Sequence, residues 1–170
     1  STRPGHAPVP AEEEIKRIVP VIEAVRAKVS VPISIDTYKA ETAKHAIEAG
    51  ADIINDIWGA KRDPAIAEVA AAYNVPIILM HNREQAVYTS LIEDMKKDLQ
   101  ESIAIAKNAG VPDEHIILDP GLGLDEPDDV DPYRDIEIAF KVGDYKEDQV
   151  KDILEAIARR KAYVQLDASL

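Results

Sequence analysis

The stretch SIDTYKAETAKHAIEAGADIINDIWG, residues 34–59, contains two short apolar segments that each end in polar residues. The first ends at Asp36-Thr37 and the second at Asn55-Asp56, with a helical segment between them that closes at Gly50. Glycine is typical of the left-handed position that ends a helix. Short apolar strands that alternate with a helix predict a βαβ unit of parallel strands, covered on both faces.

The same unit is repeated along the chain. VPIILMH (75–81) predicts a third strand, followed by a helix over 88–109, and HIILDPG (115–121) predicts a fourth strand. Asp63-Pro64 is expected to cap the helix between the second and third strands. Upstream, residues 11–29 predict an amphipathic helix that is kinked at Pro20. The chain therefore reads as a βα array.

The pattern changes after Leu124. Residues 125–135 hold six acidic residues and two prolines, a composition typical of a solvated linker. Beyond it, we predict a strand over 136–142, a helix over 145–161 and a closing strand within 162–170. We expect one α/β domain over 1–170, with six parallel strands in an open sheet or an incomplete barrel, since a closed eight-stranded barrel takes about 250 residues.

Composition excludes several classes of protein. The net charge of -12 argues against nucleic-acid binding, which requires a basic surface. The absence of cysteine excludes disulfides and zinc sites built on sulfur. No apolar run approaches the roughly 18 residues of a membrane span, and no signal peptide is recognisable, so we expect a soluble protein.

Polar residues follow every predicted strand. The carboxyl ends of parallel strands meet at one rim, where binding sites lie. The residues placed there are Asp36, Asn55, Asp56, Met80, His81, Asn82 and Asp119. Taken singly, such Asp and Asn residues more often cap loops and helices. Together, carboxylates and a carboxamide suit a heterocycle with several N–H donors and acceptors.

Other interpretations of these residues remain open. Asp36, Asp56, His81 and Asp119 could hold a divalent metal, although no closely spaced histidine pair accompanies them. The segment Gly121–Gly123 could approach a phosphate, but it is more often an ordinary turn. Arg3 could pair with a carboxylate or a phosphate, or it could be a solvated residue of a frayed terminus.

Five motifs resemble those of bacterial dihydropteroate synthase, in the same order. They are STRPG (1–5), SIDTYKAE (34–41), ADIINDIWG (51–59), PIILMHNR (76–83) and IILDPGLG (116–123). The resemblance implies a (β/α)₈ TIM barrel and a transferase of folate biosynthesis, usually magnesium-dependent. That enzyme joins p-aminobenzoate to 6-hydroxymethyl-7,8-dihydropterin pyrophosphate. Residues 1–124 would supply about four βα units of such a barrel. Together with the absence of targeting segments, the resemblance implies a cytoplasmic location.

The resemblance also implies roles for particular residues. Asp36, Asn55 and Asp119 would bind the N–H and amino edges of the pterin, with Met80 packing against the ring. Thr2, Arg3 and Pro4 would belong to the loop that binds p-aminobenzoate. It assigns no residue of this chain to a catalytic role or to a metal.

The chain also departs from the family pattern. The asparagine loop after the first strand, the pterin-binding lysine and the R-x-H anchor for pyrophosphate are not recognisable. We therefore expect no bound cofactor, because the magnesium anchors are missing, and little or no catalysis. Residues 136–170 read as a foreign or designed strand-helix-strand segment in a chimera, with a circular permutation as the alternative.

Two other functions stay open. The tail or a second subunit could complete a working synthase, and a homodimer could form through exposed sheet edges. The chain could also be a folding scaffold without a ligand.

Overall fold

The fold is known from a computed structural model that describes residues 9–85, 87–121 and 164–167, the last four by their backbone alone. The elements are helix α1 (Ala11–Arg26), strand β1 (Ile33–Asp36), α2 (Ala40–Glu48), β2 (Ile53–Asp56), α3 (Ala65–Tyr73), β3 (Ile77–Met80), α4 (Leu91–Asn108), a 3₁₀ turn (Asp113–His115), β4 (Ile116–Asp119) and β5 (Val164–Asp167). Their order confirms the predicted βα array.

All five strands form one parallel sheet in the order β4-β3-β2-β1-β5. Each crossover from β1 to β4 advances by one position, as in a segment of a barrel. The open sheet of parallel strands is confirmed, and so is the predicted closing strand, which pairs with β1. The predicted strand over 136–142, the helix over 145–161 and the linker over 125–135 lie outside the described residues.

The helices form a single layer on one face of the sheet. Consecutive helices contact one another, from α1 through α4. Their apolar sides bury alternate strand residues that are fully inaccessible: Ile33, Ile35, Ile54, Ile77 and Leu79. Of the helices that the structure describes, none combines the length and the apolar character needed to span a membrane.

The opposite face of the sheet is covered less completely, which differs from the expectation of two covered faces. Ser34 is buried on this face, but Ile53 and Ile78 are half-buried, and Ile117 is 44% exposed. The difference arises because all four described helices lie on the same side. We call this second face, which carries Ser34, Asp36, Ile53, Asn55, Ile78, Met80, Ile117 and Asp119, the open face.

Helix α1 runs from Ala11 to Arg26 with Pro20 inside it, so the predicted helix is confirmed, and the kink at Pro20 stays a prediction. One local prediction needs correction. Asp63 does not cap its own helix through its side chain. Its Oδ2 instead accepts a hydrogen bond of 2.7 Å from the backbone N–H of Ala40, at the start of α2. The Asp63 side chain thus connects two neighbouring helices of the layer.

Substitution of Asp63 by alanine should therefore destabilise the protein. An orphaned N–H at a helix start costs about 1 kcal/mol in the free energy of unfolding. Urea unfolding would measure the loss, with the exposed Glu23→Ala on α1 as a control expected to change stability by less than about 0.5 kcal/mol. Equal stabilities of the two variants would contradict the role given to Asp63.

Candidate functional site

Four of the residues predicted to form the site lie on the open face, at the carboxyl end of the sheet. Asp36 is in register with Asn55, which is in register with Ile78. Met80 and Asp119 form a registered pair two residues further along β3 and β4. Since side chains alternate along a strand, all four project from the same face. Sequence reasoning thus identified a true cluster of rim positions.

Backbone hydrogen bonds extend the sheet beyond the strand ends. The N–H of Thr37 donates to the carbonyl of Asn55 at 3.0 Å, and the N–H of His81 donates to the carbonyl of Asp119 at 2.8 Å. The loops that leave β1 and β3 therefore start beside the ends of β2 and β4. This arrangement holds the rim backbone in a fixed register.

Gly121 forms a tight turn directly after β4. Its N–H donates to Oδ1 of Asp119 at 2.9 Å, and its φ of +70° lies in the left-handed region. A Cβ at this position would come within 2.3 Å of the carbonyl oxygen of His81, so glycine permits a close approach of two chain segments. The first glycine of the Gly121–Gly123 segment thus forms a turn, and the other two residues lie outside the described residues.

Asp56, the neighbour of Asn55, points to the helix layer and takes no part in the open face. It is fully buried, and its carboxylate accepts backbone hydrogen bonds from Trp58 at 2.8 Å and Ala60 at 2.7 Å. Burial raises the pKa of Asp56 to about 6, despite the opposing effect of these two hydrogen bonds. Asp56 caps the turn between β2 and α3, which is the role that single Asp residues most often have.

His81 also points to the helix layer. Its Nε2 lies 3.2 Å from Oδ2 of Asp98 without forming a well-oriented hydrogen bond. Burial lowers the pKa of His81, although the Asp98 charge opposes this effect. The imidazole is therefore neutral at pH 7.

These orientations separate the residues of the alternative metal site. Asp36 and Asp119 lie on the open face, whereas Asp56 and His81 lie on the helix side. In residues 9–85, 87–121 and 164–167 no group of three or more His, Asp or Glu could hold a metal ion. The described residues thus provide no cluster of carboxylate and imidazole ligands for the magnesium ion that the resemblance implies.

Two clusters near the rim escaped the sequence reasoning. In the segment after β2, the guanidinium of Arg62 lies 3.7 Å from the centre of the Trp58 ring and pairs with Glu84 at 3.1 Å. In the segment after β3, Arg83 donates a hydrogen bond from Nε to Oδ2 of Asp98 at 2.6 Å. The single tryptophan, placed two residues after a strand, was a signal for the first cluster. The second joins residues 15 positions apart and had no local signal.

The remaining candidate residues contribute less. Thr2, Arg3 and Pro4 lie outside the described residues, so their predicted role in binding p-aminobenzoate stays a prediction. Asn82 is half-buried in the loop after β3. His45 contacts the carbonyl of Glu41 through Nδ1, as expected of a surface histidine.

The comparisons with known proteins agree with the motifs. A sequence profile of the family described as pterin binding enzyme matches residues 1–165. Dihydropteroate synthase of Clostridium beijerinckii is 60% identical over 124 residues, which cover 73% of this chain and 46% of the relative. The corresponding enzyme of Bacillus subtilis is 58% identical over 124 residues, covering 73% of this chain and 44% of the relative. The resemblance to dihydropteroate synthase is thereby confirmed.

A solved structure gives the same result. Dihydropteroate synthase from Clostridium difficile, crystallised in the presence of pteroic acid, superposes with a TM-score of 0.72 at 39% identity, covering 81% of this chain and 51% of that one. The chain spans less than half the length of the two curated relatives, at 46% and 44%. The family profile continues past Leu124 to residue 165, so the predicted foreign origin of residues 136–170 finds no support here.

The raised pKa of Asp56 predicts a specific pH dependence of stability. Between 3.8, the ordinary value, and about 6, the folded protein binds more protons than the unfolded chain. The free energy of unfolding contributed by Asp56 is therefore fully present below about pH 4 and decreases as the pH rises to about 6. Relative to Asp56→Asn, which has no titratable group there, the wild type should lose about 3 kcal/mol over this range.

Urea unfolding at a series of pH values would measure this difference. The exposed Asp113→Asn provides a control for changes in overall charge. A stability difference between wild type and Asp56→Asn that stays constant from about pH 4 to pH 6 would contradict the burial of an ionisable Asp56.

Proposed function

The chain belongs to the family of pterin-binding enzymes, and from this premise we propose that its rim binds a pterin-type ring through Asp36, Asn55, Met80 and Asp119. The observation that carries the proposal is their common position on the open face, at the carboxyl ends of adjacent strands. Residues next to them, such as Asp56 and His81, point the other way.

The chemistry of these four side chains suits a pterin. Ionised carboxylates only accept hydrogen bonds, so Asp36 and Asp119 match the ring N–H and amino groups. The amide of Asn55 both donates and accepts, which matches an edge with mixed polarity. Met80 presents a polarisable thioether that packs well against an aromatic face. Asp36 is only 9% exposed, so a hydrogen bond to it would form away from bulk water.

Val9, the first described residue, is held near the end of β1. Lys39, three residues after Asp36, donates from Nζ to the backbone carbonyl of Val9 and pairs with the buried Glu14 at 2.6 Å. Segment 1–8 thus departs from a residue that is held beside the end of β1. This supports the proposal that Thr2, Arg3 and Pro4 contribute to binding an aryl amine such as p-aminobenzoate.

For this chain alone, we propose binding with little or no turnover. The family motifs for pyrophosphate are not recognisable within it, and each lost electrostatic contact to a developing anion lowers a catalytic rate by roughly 10²–10³. The exposed apolar residues of β4, Ile117 at 44% and Leu118 at 36%, favour the alternative that further chain or a second subunit completes an active synthase.

Calorimetric titration with a 7,8-dihydropterin analogue would test the binding. We expect saturable 1:1 binding, weakened about 10- to 100-fold in Asp36→Ala and in Asp119→Ala, since hydrogen bonds to charged groups contribute about 1.5–3 kcal/mol. Asp113→Ala removes a carboxylate at the amino end of β4, away from the rim, and should bind like wild type.

The absence of binding by the wild type at millimolar ligand would refute the pterin proposal and leave the scaffold alternative. Equal affinities of wild type, Asp36→Ala and Asp119→Ala would show that the ligand binds elsewhere.

A second experiment separates binding from catalysis. Incubation of the chain with 6-hydroxymethyl-7,8-dihydropterin pyrophosphate and p-aminobenzoate should release no pyrophosphate above the uncatalysed background. Full-length dihydropteroate synthase serves as the positive control. Steady turnover that is lost in Asp36→Ala would overturn the proposal of little catalysis and favour a completed active site.

A further inference from the structure

The loop between β3 and α4, residues 81–90, is held by two carboxylates of α4. Asp98 lies 3.2 Å from Nε2 of His81 and 2.6 Å from Nε of Arg83, through the same oxygen. Asp94, one turn earlier, accepts from the backbone N–H of Thr89 at 2.8 Å. Both ends of the loop are therefore fixed to the first half of one helix.

Arg83 connects the two ends of this loop. Its Nη1 donates to the carbonyl of Val87 at 2.7 Å and lies 3.7 Å from Asp94. The same guanidinium is 4.7 Å from the centre of the Tyr88 ring, and that ring is 5.8 Å from the ring of His81. Arg83 is thus bound on several sides and links the start of the loop to Val87 and Tyr88.

The charges favour this arrangement. Burial of Asp98 opposes its ionisation, but the hydrogen bond from Arg83 and the charges of Lys61 and Arg83 outweigh it and lower the pKa of Asp98. The same hydrogen bond raises the pKa of Arg83. Asp98 and Arg83 therefore form a persistent ion pair, with the neutral His81 packed beside it.

The contacts of Asp98 with His81 and Arg83 adjoin Met80 in the sequence. His81 is the next residue, and its backbone N–H is fixed to Asp119. A second contact from α4 supports the same point: Ser102 donates from Oγ to the carbonyl of Asp98 at 3.2 Å and fills the space beside Gly59. An added Cβ on Gly59 would lie 3.0 Å from the carbonyl oxygen of Met80, so the turn after β2 packs closely against β3.

We propose that Asp98 is a positioning residue for the rim: through His81 and Arg83 it fixes the end of β3, so that Met80 is held on the open face in the geometry needed to pack against a planar ligand. Asp98 itself points to the helix side and would not touch that ligand. The expected effect of Asp98 on ligand affinity rests on the proposed pterin-type binding. Its expected effect on the position of Met80 does not depend on any ligand.

The test uses Asp98→Asn, with Glu101→Gln as the matched control. Both remove one negative charge from α4, but Glu101 is exposed one turn away. We expect Asp98→Asn to weaken binding of the dihydropterin analogue about tenfold, because small displacements of positioning groups are costly. Glu101→Gln should bind like wild type.

Two NMR measurements on the free protein report on position independently of the ligand. The chain has only two methionines, Met80 and Met95, so selective methyl labelling gives two signals. Asp98→Asn should shift or broaden the Met80 methyl signal. It should also lower the pKa of His81 further, because the Asp98 charge opposes the effect of burial. Neither change is expected in Glu101→Gln.

The outcomes are distinguishable. An unchanged Met80 methyl signal in a folded Asp98→Asn protein would overturn the proposal, as would unchanged affinity where the wild type binds. If the wild type does not bind, the proposed function fails alone, and a shifted Met80 signal still supports the positioning role. If Asp98→Asn does not fold, Arg83→Gln removes the other half of the ion pair, and the same criteria apply.

Discussion

The alternation of side chains along four short parallel strands, with all the described helices on one side, is the constraint on which the rest of the described structure depends. Every second residue faces the helix layer, where apolar side chains and hydrogen-bonded polar groups are favoured because little water is present. The other residues reach the open face, where polar atoms can remain available to a ligand. A shift of one residue in any strand would exchange the two sets. The backbone hydrogen bonds from Thr37 and His81 oppose such a shift at the carboxyl ends, where the candidate site lies.

This constraint explains why neighbouring polar residues have opposite properties. Asn55 remains half-exposed at the rim, whereas Asp56, one residue later, is buried and caps a turn, with a raised pKa. Met80 and His81 are both 4% exposed, but Met80 lies on the open face, whereas His81 packs on the side of α4 and has a lowered pKa. In both buried groups the main cause is desolvation, which favours the neutral form of an acid and of a base alike. Asp56 and His81, the two buried groups with shifted pKa values beside the rim, both lie on its helix side.

Much of the fold could be predicted because its signals are local. Apolar strands, glycine helix ends and polar strand ends are visible within a few residues, and once the strand bounds are known, alternation separates Asp36 and Asn55 from Asp56. The partners of the helix-side carboxylates could not be predicted. Asp63 bonds to Ala40, and Asp98 to His81 and Arg83, across 15 to 23 residues of chain. Those contacts depend on the packing of helices, and for Asp63 the local capping rule selected the wrong helix. The position of β5 beside β1 likewise follows from tertiary pairing, which composition does not reveal.

A chain that spans less than half of its curated relatives can still hold half of a binding rim in place, because the support for that half comes from within. Neighbouring segments hold the described strand ends in place. Backbone hydrogen bonds join Thr37 to Asn55 and His81 to Asp119, and an ion pair joins Arg83, after β3, to Asp98 of α4. A ligand that meets side chains already in position does not have to provide the free energy for ordering them, so affinity can survive where few contacts remain. Catalysis is more demanding, since it requires groups on every side of the reacting atoms to be aligned at once. If the proposed function holds, we therefore expect the described strands to be sufficient for binding a ligand but not for turnover.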